Sequence, residues 1–217
     1  MNINRLKVMV IACKQLWYFE HTLPRIADYC KRHDYALEIV EDDIATGSGY
    51  EHPSWNKVLH TASAVLWWDA DLVPMPWAPR IEEVIEGGRF NGVRFPMRER
   101  CYRWMRERYG AKHHREMDVN CGLLYVPECY VKDVSHIDPR ANHRMWEQGA
   151  INELIWCKGL EFHELDRRFN ALAGSSPTPA FFRENWFVHF GGGTPVRNRG
   201  LRRWIEFRES NGWNGGS

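Results

Sequence analysis

Two carboxylates one residue apart, Asp69 and Asp71, interrupt an apolar run in VLWWDADLVP, Val65 to Pro74. An apolar run that stops at acidic residues reads as a buried strand at its carboxyl end, the edge where ligands of open α/β sheets bind. Two carboxylates held there repel each other, and burying them unpaired is costly. A divalent cation between them removes the conflict, and hard oxygen ligands suit Mn²⁺ or Mg²⁺. The plainer alternative is an exposed acidic turn that caps a following helix.

A second stretch could bind rather than react. RFPMRERCYRWMRERYGAKHHRE, Arg94 to Glu116, carries more basic than acidic residues, with aromatic residues interleaved. Arg103, Trp104 and Arg106 are candidates to hold an anionic partner by charge and stacking. A solvated helix face with ion pairs such as Arg103 to Glu107 would have the same composition.

Strands and helices must position these groups. Apolar runs predict strands over Lys7–Ala12, Ala36–Val40 and Ala64–Asp69. Between the first two, Leu23, Ile26, Ala27 and Cys30 repeat at helical spacing behind a Thr22 cap, with Pro24 in the first turn. A second helix is expected behind Ser54, burying Trp55, Val58, Leu59 and Ala62. Strand and helix in alternation predict an α/β fold: a mostly parallel central sheet with helices on both faces. Further strands are expected at Gly92–Phe95, Leu123–Val126, Glu161–Leu165 and Phe187–Phe190, and a short helix at Ile81–Glu86. Trp146, Ala150, Ile151, Leu154 and Ile155 form a helical stripe, and a last helix runs from about Arg199 to Glu209.

The 217 residues fit one domain over positions 1–210, with a Gly- and Asn-rich tail over 211–217 expected to be flexible. Net charge is +1, so no partner is chosen by the overall field. Eleven tryptophans are heavy usage, divided between core packing and stacking on flat ligands. The six cysteines form no Cys-x-x-Cys pair and read as buried free thiols of a reducing compartment. The first apolar stretch is too short for a secretory leader, and no run reaches the length of a membrane span, so a cytoplasmic location is expected.

The acidic motif resembles two enzyme patterns: the Asp-x-Asp of GT-A glycosyltransferases and the strand end of haloacid-dehalogenase-type magnesium-dependent phosphatases. The second needs a later acidic pair, whereas Asp42–Asp43 precedes the motif. The first recurs along the chain. PSWNKVLH resembles the basic helix segment on the donor side, with Lys57 as its basic residue. VNCGLLYV is similar to an Asn-Ala-Gly strand opening, WEQGAINEL to an Asp-Gln-Gly-x-x-Asn helix start, and FVHFGGGTP to a closing His-x-x-Gly segment. The order is that of the glycogenin-like and lipopolysaccharide-galactosyltransferase-like retaining enzymes. The chain departs from it at Glu147, where Asp is usual, and in lacking the closing Lys, for which Arg197 or Arg199 can substitute.

The resemblance implies a Rossmann-like GT-A domain that takes a hexose or pentose from a nucleotide diphosphate sugar. Asp69, Asp71 and His189 would hold the metal. Lys57, Asp69, Asn120, Gly191, Gly192 and Arg197 would bind the donor. Glu147 and Gln148 would lie at the transferred sugar, and Asp118 or Glu147 would take the acceptor proton if the reaction inverted. Arg103, Trp104 and Arg106 fall where such enzymes meet their acceptor. The expected acceptor is anionic: a phosphorylated or lipid-linked saccharide, or duplex DNA with a hydroxymethylated base. A GT-A domain that only binds nucleotide sugars is the non-enzymatic alternative.

Overall fold

The computed structural model describes residues 5–13, 16–50, 52–96, 99–109, 117–141, 145–191 and 193–213. Strands β1 (Lys7–Ile11), β2 (Ala36–Val40) and β3 (Val65–Asp69) are joined through helices α1 (Phe19–Arg32), α2 (Ile44–Gly47) and α3 (Asn56–Leu59). Strand β4 (Leu72–Pro74) follows at once, then β5 (Phe90–Pro96), α4 (Glu99–Tyr109) and β6 (Met117–Val126). Helices α5 (Val131–Ser135) and α6 (Trp146–Trp156) precede β7 (Phe162–Glu164) and β8 (Ala171–Leu172). The chain continues through α7 (Pro179–Glu184), β9 (Phe187–His189) and α8 (Thr194–Ser210).

The main sheet has six strands in the order β2-β1-β3-β6-β5-β7. Its pairings are parallel except where β6 lies antiparallel between β3 and β5. The expected mostly parallel α/β sheet is therefore present, with one strand reversed. Strand β3 is apolar up to Asp69 because both of its faces are covered. Leu66 and Trp68 pack with Ile26, Tyr29 and Cys30 of α1. Val65 and Trp67 face the other way, toward Val58 of α3, Val134 of α5 and Ile151 of α6. A smaller sheet, β4-β9-β8, packs through Val73, Val188 and Phe190 against Leu201 and Trp204 of α8.

Several local expectations are corrected. Helix α1 begins at Phe19, a turn before Thr22, so Pro24 lies inside it and Thr22 is buried instead of capping. Ser54 is not the cap of the second helix: the Nδ1 of His52 accepts from the Ser54 N–H, and Pro53–Trp55 form a 3₁₀ turn before α3. There the buried residues include Asn56 and Lys57, while Leu59 is exposed, because polar partners draw Lys57 inward. Residues Ile81–Glu83 form a 3₁₀ turn. Helix α8 starts earlier than Arg199, with Pro195 in its first turn. Cys129 and Cys157 are exposed, although Cys30 and Cys121 are buried as free thiols. Trp213, expected in the flexible tail, packs edge-on against Trp77 and Phe207, and residues 214–217 lie outside the described residues.

Trp68 ties the two sheets together. Its ring stacks on Phe187 of β9 at 4.7 Å, and its Nε1 donates to the Leu72 carbonyl at 2.7 Å. Trp68→Ala removes that bond and opens a cavity beneath the acidic motif. The expected loss is about 3–5 kcal/mol, read from urea unfolding of the two proteins. A loss below about 1 kcal/mol would show that the ring is not a keystone.

Candidate active site: an acidic cleft at the sheet edge

Asp69 ends β3, and Asp71 lies one residue before β4. His189 ends β9, far along the chain, and the small sheet brings it back. Leu72 pairs with His189 across β4 and β9, and the Phe190 N–H donates to the Asp71 carbonyl at 2.9 Å. One ligand atom from each of Asp69, Asp71 and His189 lies within 4.8 Å of the others.

The oxygens of the two carboxylates have separate duties. The Lys57 ammonium holds Oδ1 of Asp69 at 2.6 Å, and Arg197 approaches Oδ2 of Asp71 at 3.5 Å. The remaining oxygens face the imidazole: Oδ2 of Asp69 is 3.7 Å and Oδ1 of Asp71 3.3 Å from Nε2 of His189. Nδ1 of His189 is 2.9 Å from the Asn170 side-chain oxygen. Asn170 in turn donates its amide hydrogen to Oδ1 of Asn120 at 3.0 Å. With the Asn170 amide donating to Asn120, its oxygen accepts from Nδ1, which leaves Nε2 as the nitrogen that could ligate a metal. Two inner oxygens and one imidazole nitrogen are a donor set that fits Mn²⁺ or Mg²⁺. Burial raises the Asp71 carboxyl, but the His189 hydrogen bond and the His189 and Arg197 charges outweigh it and hold it below the usual range. Burial pulls the His189 imidazole down, and Asp71 and Asp69 more than restore it.

Lys57 is only 2% exposed and sits between three elements. Besides Asp69 it reaches Glu147 of α6 at 3.2 Å and donates to the Cys121 carbonyl of β6 at 2.8 Å. Burial disfavours its charge, yet the Asp69 and Glu147 carboxylates overcome that and keep the ammonium protonated. The structure thus places Lys57 and Glu147 against each other, within the cleft lining. Asp118 is different. It accepts from Gln148 at 2.7 Å, and among the described residues it has no ion-pair partner. Burial pushes its carboxyl up to about 7.

The register between β5 and β6 shifts between Gly92 and Val93, an irregularity of the bulge kind beside Asn120, Cys121 and Gly122. Gly122 is required there: a Cβ would come within 2.4 Å of Cε1 of His189 and 2.7 Å of Oδ1 of Asn120. Gly191 is also close to the centre, its virtual Cβ 3.2 Å from Nε2 of His189, while Gly192 lies outside the described residues. Sequence reasoning missed Asn170, which no motif marks, and Gly122, whose motif was read only for its Asn. Asn152, the Asn of the WEQGAINEL motif, was given no role there; its amide pairs with both the N–H and the carbonyl of Val119.

The Asp69–Asp71–His189 cluster, Lys57, Glu147, Asp118 and Asn120 line one cleft of about 1010 Å³, roughly the upper size for small-ligand sites. Arg197 lines it, whereas Arg199 is exposed and lies outside the lining. Arg103 and Arg106 are exposed on α4, and Trp104 lies under the Arg108 guanidinium at 5.5 Å. Among the described residues none of these lines the cleft, although Phe95 and Pro96 just before α4 do. Arg103 pairs with Glu99 at 3.7 Å, where Glu107 was the expected partner. At the opposite rim, Met145 and Trp146 both adopt left-handed backbone, with φ of 63° and 53°. Such backbone costs roughly 1–2 kcal/mol per residue and rotates Trp146 out of the buried stripe expected of it, leaving it 39% exposed.

Sheet order, strand-end acidic pair and returning histidine together define a GT-A-like glycosyltransferase fold. The chain is similar to a solved glycosyltransferase involved in the glycosylation of the major capsid of PBCV-1, with 14% identity and a TM-score of 0.62 over 93% of this chain and 99% of that one. It is also similar to the glycosyltransferase GlyE of Streptococcus pneumoniae, with 14% identity and a TM-score of 0.52; the match covers 94% of this chain but 60% of that one. At these identities the likeness is one of fold. No protein-family model matches the sequence, and no curated protein sequence matches it. Among the described residues, no helix is long and apolar enough to cross a membrane.

Two outcomes follow from this geometry. Gly122→Ala should stay folded and lose most Mn²⁺ affinity by titration calorimetry, since the methyl group displaces His189; unchanged affinity would refute the packing argument. Asp118 has a folded pKa above its ordinary value of 3.8, so the folded state holds its proton longer. Stability should therefore fall as pH rises from about 4 to about 7. In metal-free buffer Asp118→Asn should melt higher than the parent above pH 7, with the gain vanishing near pH 4. A difference independent of pH would contradict the burial of this carboxyl.

Proposed function

We propose that the protein is a nucleotide-sugar-dependent glycosyltransferase that uses a divalent cation and passes a hexose or pentose to a hydroxyl group. The observation that carries the reading is the division of oxygens at the acidic pair: one oxygen of each carboxylate is held by a protein cation, and the other faces Nε2 of His189. A cation bound there would neutralise charge on the departing diphosphate. The glycosyltransferase fold supports the same reading. A phosphatase site would need a second acidic pair downstream, and here a histidine completes the cluster. A carboxyl near neutrality in the same cleft, Asp118, favours catalysis over binding alone.

In the transfer, the acceptor oxygen bonds to the anomeric carbon as the bond from that carbon to the diphosphate breaks. The electron pair of the broken bond goes to the diphosphate. Asn120 and Gln148 line the cleft beside the metal ligands and would orient the sugar. Arg197 is near enough to Asp71 to shift from that carboxylate to a phosphate. The likeness of the motifs to retaining enzymes implies attack from the side the diphosphate leaves, with the diphosphate taking the proton. Asp118 favours a second reading. Glu147 is engaged with Lys57, whereas Asp118 has an affinity suited to accepting a proton near neutral pH, the requirement of an inverting reaction. The anomeric configuration of the product separates the two.

Chelation should abolish nucleotide-sugar turnover and Mn²⁺ should restore it. Asp71→Ala should remain folded and lose at least about 100-fold in rate, a transition-state loss of roughly 2.7 kcal/mol. A nucleoside diphosphate with Mn²⁺ should raise the melting temperature of the parent, and the rise should shrink in His189→Ala. Full turnover in excess chelator would sink the metal assignment.

A further inference from the structure

Among the described residues Trp17, Trp77 and Trp146 keep large exposed ring surface, and of these Trp146 lines the cleft. Its ring stacks on His52, with centroids 3.8 Å apart and planes 14° from parallel. His52 lines the cleft as well and is anchored by the Ser54 N–H. The left-handed backbone at Met145 and Trp146 fixes the indole from its own side. The result is a rigid aromatic surface at the cleft rim, held in place before any ligand arrives.

Its neighbours place it at the reacting end of the cleft. Glu147 and Gln148 follow Trp146 in the chain; the first binds Lys57, which binds Asp69, and the second binds Asp118. The charges there are informative. Lys57 and Arg197, the cleft's lysine and arginine among the described lining residues, are both engaged with carboxylates. Four carboxylates share that lining: Asp69, Asp71, Asp118 and Glu147. Among the described lining residues, a phosphate on the acceptor would meet Asp118 and Glu147 with no uncommitted lysine or arginine beside them. Arg103 and Arg106 stand on α4 outside the lining. An uncharged ring with one apolar face and several hydroxyls suits this place: the face lies on the indole and the hydroxyls meet carboxylate and amide groups.

We propose that the His52–Trp146 pair is the acceptor platform and that the acceptor is an uncharged saccharide, which rests on the glycosyl-transfer reading above. The inference replaces the anionic acceptor expected from the basic segment. The test incubates the protein, Mn²⁺ and a set of labelled nucleotide sugars with three acceptor groups: neutral methyl glycosides and disaccharides, the same sugars carrying a phosphate, and hydroxymethylated duplex DNA. Transfer to a neutral glycoside is expected. Trp146→Ala should raise the KM for that glycoside at least tenfold, against less than a twofold shift in donor KM, and Trp146→Phe should recover most of the loss. Thermal melts confirm that the variants fold, and Trp146→Leu, which keeps bulk without an aromatic face and should show the same acceptor-side rise in KM, carries the test if the Ala variant does not. Transfer only to phosphorylated sugar or DNA would overturn the inference, as would donor hydrolysis with no transfer to any neutral sugar. Equal losses toward donor and acceptor in Trp146→Ala would assign the platform to the donor. Failure to hydrolyse any nucleotide sugar would instead bring down the glycosyl-transfer reading, and this inference with it.

Discussion

The Lys57 ammonium is the point on which the site depends. It lies nearly out of water, and its three partners come from β3, α6 and β6. A buried ammonium is tolerated only when its charge and hydrogens are satisfied together. Here two carboxylates and a carbonyl do so, and each constrains its own element. Asp69 is turned so that its second oxygen faces His189. Glu147 sets the first turn of α6, and with it the positions of Trp146 and Gln148. The Cys121 carbonyl fixes the bulged part of β6 that carries Asn120 and Gly122. Removing the lysine would strand the buried Glu147 carboxylate and the half-buried Asp69 carboxylate, so the cation holds the structure as well as lining the cleft.

The sheet was legible from sequence because its signal is local. Strand β3 reads as a continuous apolar run since both its faces are covered, and its acidic end marks the ligand edge. The acidic pair of the candidate metal cluster was legible from its residues, its histidine only through resemblance. Nothing in FVHFGGGTP says that His189 meets Asp71; that proximity comes from β4–β9 pairing across a long stretch of chain. Asn170 was not legible, because an asparagine between apolar residues carries no periodic or motif signal. The burial of Lys57 was hidden for a related reason. Helical spacing assigned the inward face to Leu59 and Ala62, and electrostatic partners from distant strands reversed it.

Trp146 shows the same override in the other direction. By spacing it belongs to the apolar stripe of α6 with Ala150 and Ile151, and those two are buried as expected. Its left-handed backbone breaks the helical geometry that the spacing argument assumes. Strained backbone at a cleft rim persists only where surrounding contacts hold it, and here the His52 stack and the Glu147–Lys57 pair lie on either side. The strain and the exposed ring therefore share one cause: α6 is fixed by its second residue, and the first must turn outward.

The electrostatics of the cleft follow from the same arrangement. Among the described lining residues, four carboxyl groups, one of them held near neutrality, face one lysine and one arginine, a small excess of negative charge. A divalent cation at the inner oxygens of Asp69 and Asp71 would reduce that excess where a diphosphate would lie. It acts less on Asp118, which is joined to the metal ligands only through neighbouring groups on β6 and α6. The two ends of the cleft thus differ in character. One is built from metal ligands, Gly191 and Arg197 and suits an anion. The other is built from an aromatic surface, amides and a carboxyl near neutrality, and suits hydroxyl groups without charge. A transfer from diphosphate to hydroxyl runs from the first kind of surface to the second.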